Sequence, residues 1–135
     1  MRRRTLYLGR LIGLYCLVIS LAMGVHKAAM LQTVTSFVHN PPLLFLAGVI
    51  GMAVGLAIVI GHNVWSGGAL PVTITLIGWL ALIKGSLLLF LPQDEAESVF
   101  LQGLHYERWY YGYTAVTFLI GLFLVYGSVR TRRLS

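Results

Sequence analysis

Polar residues in this chain fall into short islands between four long apolar runs, at residues 6–25, 43–61, 70–91 and 109–129. Each run has about 20 residues, the length at which an α-helix rising ~1.5 Å per residue crosses roughly 30 Å of hydrocarbon. The pattern predicts an all-α polytopic membrane protein, a four-transmembrane-helix bundle in which residues 1–135 form a single domain. Between the first two runs, in KAAMLQTVTSFVHNPP, the apolar residues Met30, Leu31, Val34, Phe37 and Val38 recur at helical spacing. That segment is expected to be a short interfacial helix. Asn40, Pro41 and Pro42 then end it and open the second span, because proline is accepted in a first helical turn but breaks a helix interior. Residues 63–69 make an uncharged hairpin between spans two and three. Gly67 and Gly68 provide positive backbone angles there, with Asn63 and Ser66 as capping side chains.

Composition supports the same class, since 58% of residues are hydrophobic and 10% charged, a balance foreign to water-soluble domains. Charge then orients the bundle. Seven of the ten basic residues, Arg2, Arg3, Arg4, Arg10, Arg130, Arg132 and Arg133, lie near the two ends of the chain, which places both termini in the cytoplasm by the positive-inside rule. Asp94, Glu95, Glu97 and Glu107 all precede the last run and fall outside. The formal charge of +6 is thus a topology signal, and no nucleic-acid partner is expected. Cys16 is the sole cysteine, so no intrachain disulfide forms. The opening MRRRTLYLGR and the run after it also read as a secretory signal with Ser20 and Ala22 at the cleavage site, a reading that Arg10 and the three later spans oppose.

Small residues predict where helices touch. Ala47, Gly51 and Gly55 stand at four-residue steps on span two, and Gly9 with Gly13 and Ser20 with Gly24 do so on span one. Such faces let helix backbones approach closely, within one chain or between chains.

Lys84, within GWLALIKGSLLLFLP, interrupts an apolar run. It lies seven residues inside Leu91, ~10 Å at 1.5 Å per residue, and a lysine at mid-bilayer costs ~2.5 to 3.5 kcal/mol on insertion scales. Its side chain leans toward the helix N-terminus, away from the nearer surface. A polar cluster in the outer half is therefore expected, made of Lys84, Tyr110, Thr114 and Glu107, with His26 as a further member. A second cluster, Arg10, His62 and Asn63, is expected on the inner side, where Trp65 serves as an interfacial anchor. The alternative for Lys84 is satisfaction by hydroxyls, carbonyls and lipid phosphates.

No metal-ligand spacing, nucleophile elbow or phosphate loop is present. No catalytic residue, metal site or cofactor is expected. Haem held between His26 and His105 is a further reading, weakened by the acidic surroundings of His105 and the lack of an attachment motif. The absence of acidic residues within the spans argues against a proton-coupled cation exporter. GHNVWSGG, TLIGWLALIKG with a following proline, and NPPLLFLAGVI resemble segments of a group of small four-span bacterial membrane proteins of uncharacterised function. The resemblance implies a bacterial cytoplasmic membrane and brings no activity or site residues with it. Two readings follow. The first is a non-enzymatic membrane protein acting through helix contacts, as a homo-oligomer or an accessory subunit of a larger membrane complex. The second is a small transporter or channel that attracts an anionic or polar solute with Lys84.

Overall fold

The computed structural model describes residues 2–103, 105 and 108–133. They form six α-helices: α1 (Arg2–Val25), α2 (Lys27–Val38), α3 (Pro41–Gly61), α4 (Ala69–Phe90), α5 (Gln93–Glu97) and α6 (Tyr110–Arg133). Four of these, α1, α3, α4 and α6, are long and apolar enough to cross a membrane. The fold is an all-α four-span bundle with a short helix between the first two spans.

Lipid tails are as apolar as leucine, so burial alone does not drive these helices together, and close packing must do it. The glycines are placed accordingly. Along α3 the contact stripe is Leu44, Gly48, Gly51, Gly55 and Ile58, facing Gly78, Leu82, Gly85 and Leu89 of α4. A Cβ added at Gly55 would lie 2.6 Å from the Leu82 Cα, and one at Gly85 would lie 2.7 Å from the Gly51 carbonyl carbon. The backbones meet there with no room for a methyl group. Ala47 is half-buried beside this stripe, and Gly48 occupies the position the four-residue spacing gave to Ala47. On the other side α1 packs against α6 through Gly9, Gly13 and Gly121, where the Gly13 and Gly121 positions each come within 3.0 Å of the opposing backbone. Gly24 has nothing within 4 Å. Its pairing with Ser20 as a contact face is therefore corrected: Ser20 is buried and its hydroxyl donates to the Leu17 carbonyl of its own helix at 2.9 Å.

The molecule is thus two antiparallel helix pairs, α3 with α4 and α1 with α6. They meet around Ile58, Ile74 and Leu124, flanked by Leu8, Ile12, Leu70, Ile77 and Ile120. Most of these belong to the half of the bundle nearer the chain ends, with Ile120 close to the middle of α6. That end also carries seven of the ten basic residues and the α3–α4 hairpin, and is called the basic end. Asp94, Glu95 and Glu97 sit at the opposite, acidic end.

The connections follow local chemistry. Asn40 accepts the Leu43 amide at 3.3 Å, with prolines in the first turn of α3, as the sequence implies. In α2 the covered face is Met30, Leu31, Val34, Phe37 and Val38, the set that the spacing singles out. Gly67 and Gly68 adopt φ of 91° and 115°, the left-handed region that glycine tolerates. The acidic segment departs from a plain loop. It holds α5, which starts after Pro92 with Asp94 and Glu95 in its first turn, where carboxylates favour a helix dipole. A π-helical turn at Ser98–Gly103 follows.

Candidate functional site

Two polar regions interrupt the apolar bundle, one at each end. At the acidic end Lys84 is exposed on the stripe of α4 that includes Leu70, Ile74 and Ile77. Those three positions pack against α1 and α6 lower down, and Lys84 follows Ile77 at i+7, the same helix face. Toward the acidic end α4 borders a groove of about 460 Å³, lined also by Leu44 of α3 and by Val99. Its walls are Leu80, Ile83 and Leu87 of α4 and Val34, Phe37 and Val38 of α2. Lys84 brings the sole charged side chain to this groove among the described residues. His39, next to Val38 of this groove, and Glu97, two residues before its Val99, tie α2 to α5 with Nε2 2.9 Å from Oε1. The His39 pKa is raised, first by the Thr35 carbonyl that its Nδ1 meets at 2.6 Å and then by the Glu97 charge.

Lys84, Tyr110, Thr114 and His26 of the expected outer cluster all lie in the acidic half of the bundle. Tyr110 is fully buried and its hydroxyl donates to the Met23 carbonyl at 2.6 Å, clamping the head of α6 to the tail of α1. Lys27 lies against this tyrosine, with Nζ 5.9 Å from the Tyr110 ring centre and 4.8 Å from that of Tyr111. Both distances suit cation–π attraction. Thr114 gives its hydroxyl proton to the Tyr110 carbonyl at 2.9 Å, within its own helix. His26 is exposed at the α1–α2 joint and caps nothing with its side chain. Glu107 lies outside the described residues.

At the basic end the hairpin is organised by Thr75, which sequence reasoning passed over. Its buried Oγ1 accepts the Val64 amide at 3.0 Å and stands 3.0 Å from the carbonyls of His62, Val64 and Pro71. One hydroxyl thus gathers the polar backbone where α3 ends and α4 begins. The available signal was its place within the first two turns of an apolar span, directly after a chain reversal. His62 is buried, and its Nε2 has no hydrogen-bond partner. Burial lowers the His62 pKa, and a hydrogen bond with the Pro71 carbonyl offsets part of this. The imidazole is therefore held toward its neutral form. Asn63 accepts from the Trp65 indole N–H at 2.7 Å and leaves Trp65 exposed at the rim.

Arg10 does not complete this group. The arginine that lines the cleft with His62 and Asn63 is Arg4. Arg10 stands six residues further along α1, ~9 Å deeper. Its Nε is buried without a partner.

Among the described residues no group of three or more His, Cys, Asp or Glu side chains is placed to hold a metal ion. No protein-family model matches the chain, and no curated protein or solved structure does either.

Proposed function

We propose that this chain is a non-enzymatic multi-pass protein of the bacterial cytoplasmic membrane, with both termini cytoplasmic, acting through helix contacts as a homo-oligomer or accessory subunit of a larger complex. The observation that carries this reading is the open groove at the acidic end. Close-packed glycines fasten each helix pair internally, and the pairs join in one half of the bundle. An α4 face bearing Leu80, Ile83 and Leu87 is left uncovered in the other half. A partner helix seated there would bury apolar side chains beside Lys84. The orientation rests on the arginines at the chain ends.

A photo-crosslinking residue at Ile83, used in native membranes, tests the contact. The expected product is a protein adduct of defined mass, absent when the probe sits at lipid-facing Val116. Lipid adducts alone from both positions would refute it. A solute-attracting role for Lys84 is the second reading, favoured by a single cation among apolar walls. It predicts that Lys84→Met abolishes anion flux in vesicles while leaving the fold intact.

A further inference from the structure

At the basic end, Arg3 and Arg4 pair with no carboxylate among the described residues. Arg3, Arg4, Tyr7 and Leu8 of α1, with Ala57 and Gly61 of α3, line a cleft of about 350 Å³. It exists because α1 and α3 belong to different helix pairs and scarcely touch. Gly61 also sends no side chain into the cleft, and a Cβ there would meet nothing within 4 Å. Arg4 lines an adjoining cleft as well, of about 370 Å³, whose far wall is His62 and Asn63. Asp94, Glu95 and Glu97 lie at the other end of the spans, and Glu107, the remaining acidic residue, follows them in sequence ahead of α6. Arg3 and Arg4 form no ion pair among the described residues.

We infer that this cleft binds an anionic phospholipid of the adjoining leaflet. The phosphate is taken by the guanidinium groups of Arg3 and Arg4 with the Tyr7 hydroxyl, and the start of an acyl chain runs along Leu8 and Ala57. Arginine suits the task because its planar fork matches two phosphate oxygens at once and remains charged near hydrocarbon. Basic pockets between membrane helices take anionic headgroups for the same reason. Leu8 and Ala57 continue the cleft toward the bilayer interior, where a soluble anion gains nothing and a lipid tail does. A zwitterionic headgroup would bring an ammonium group beside two arginines, so selectivity for net negative lipids follows from charge. The inference does not depend on the groove at the acidic end or on which leaflet the basic end meets.

The test uses the intact chain in mild detergent, titrated with phosphatidylglycerol, phosphatidylcholine or inorganic phosphate and read by native mass spectrometry. Phosphatidylglycerol should bind about tenfold more tightly than phosphatidylcholine, and inorganic phosphate should not be retained. Arg4→Gln should weaken phosphatidylglycerol about tenfold by removing a charge-assisted contact. Gly61→Leu should do so by filling the cleft while every charge stays in place, so it carries the test if Arg4→Gln fails to fold. Arg130→Gln, exposed near the same end of the bundle, should change affinity less than twofold. Equal weakening by Arg130→Gln would mean diffuse attraction and overturn the site. So would unchanged affinity in Gly61→Leu, equal binding of phosphatidylcholine, or retention of inorganic phosphate in place of lipid.

Discussion

Adding one methyl group at Gly55 or Gly85 should loosen the α3–α4 pair more than any single truncation of an apolar residue on its lipid face. The Cβ of Gly55→Ala would fall 2.6 Å from the Leu82 Cα and 2.8 Å from its Cβ. That of Gly85→Ala would fall 2.7 Å from the Gly51 carbonyl carbon and 3.0 Å from the Gly48 oxygen. Several of these neighbours are backbone atoms, so no rotamer change relieves the overlap and the helices must move apart. Overpacking of this kind costs ~1 to 3 kcal/mol, and rigid opposing backbone puts these sites near the upper value. Alanine's better helix propensity returns up to ~1 kcal/mol. The net loss is then about 2 kcal/mol, roughly 30-fold in the folding equilibrium. Gly51→Ala meets its nearest atom, the Gly85 Cα, at 3.3 Å and should lose less than half as much. Gly24→Ala meets nothing within 4 Å and should be neutral or slightly stabilising. SDS titration in mixed micelles, followed by tryptophan fluorescence and by thiol cross-linking between α3 and α4, gives the four values. Destabilisation by Gly24→Ala as large as by Gly55→Ala would refute the geometric argument, as would neutrality of both Gly55→Ala and Gly85→Ala.

Thr75→Val keeps the side-chain volume but leaves the Val64 amide without its acceptor. It should cost ~1 to 3 kcal/mol in the same titration, with Thr75→Ser retaining most of the stability. The His39–Glu97 link should depend on pH. A raised histidine pKa means that its contribution is present below the ordinary histidine value and is lost as pH rises through the folded-state value. Amide exchange near the C-terminal end of α2 should therefore quicken across that upper window in the wild type, and Glu97→Gln should remove most of the change. For orientation, cysteines at Ser98 and Ser66, in a chain lacking Cys16, should respond oppositely to an impermeant thiol reagent on intact cells. Labelling of both to the same extent would reject the proposed topology.

The spans were legible because a bilayer imposes one length and one composition on every crossing element. The covered face of α2 was legible from spacing, and the entry to α3 from Asn-Pro-Pro. The partners of single polar side chains were not. Tyr110 sits at the depth of the outer cluster, and depth alone says nothing of rotation. The actual rotation aims its hydroxyl at Met23 on α1, while Lys27 supplies the cation over its ring. Arg10 and Arg4 are equally basic in the sequence, and the relative placement of α1 and the hairpin decides which of them lines the cleft with His62. Thr75 escaped notice because a hydroxyl inside an apolar span usually bonds back to its own helix, as Thr73, Thr114 and Thr117 do. Its wider role depends on a chain reversal that returns the His62 and Val64 backbone to it.

The distribution of glycines bears on how such a protein meets others. Helix association in lipid favours small-residue faces because they permit backbone approach, and here Gly13, Gly48, Gly55, Gly78, Gly85 and Gly121 are all occupied by contacts within the chain. Gly24 and Gly61 have open space around them and stand at opposite ends of the bundle, and exposed Gly112 meets only Trp109. Along the described spans a second copy would thus find isolated glycines to dock on. A helix that joins from outside can pack against large side chains, which the acidic-end groove offers beside Lys84. The join between the pairs lies mainly in the basic half, and the acidic-end groove is lined by α2, α3, α4 and Val99, so an occupant can seat there without breaking either glycine-packed contact. That division separates the part that holds the fold together from the part left free to respond.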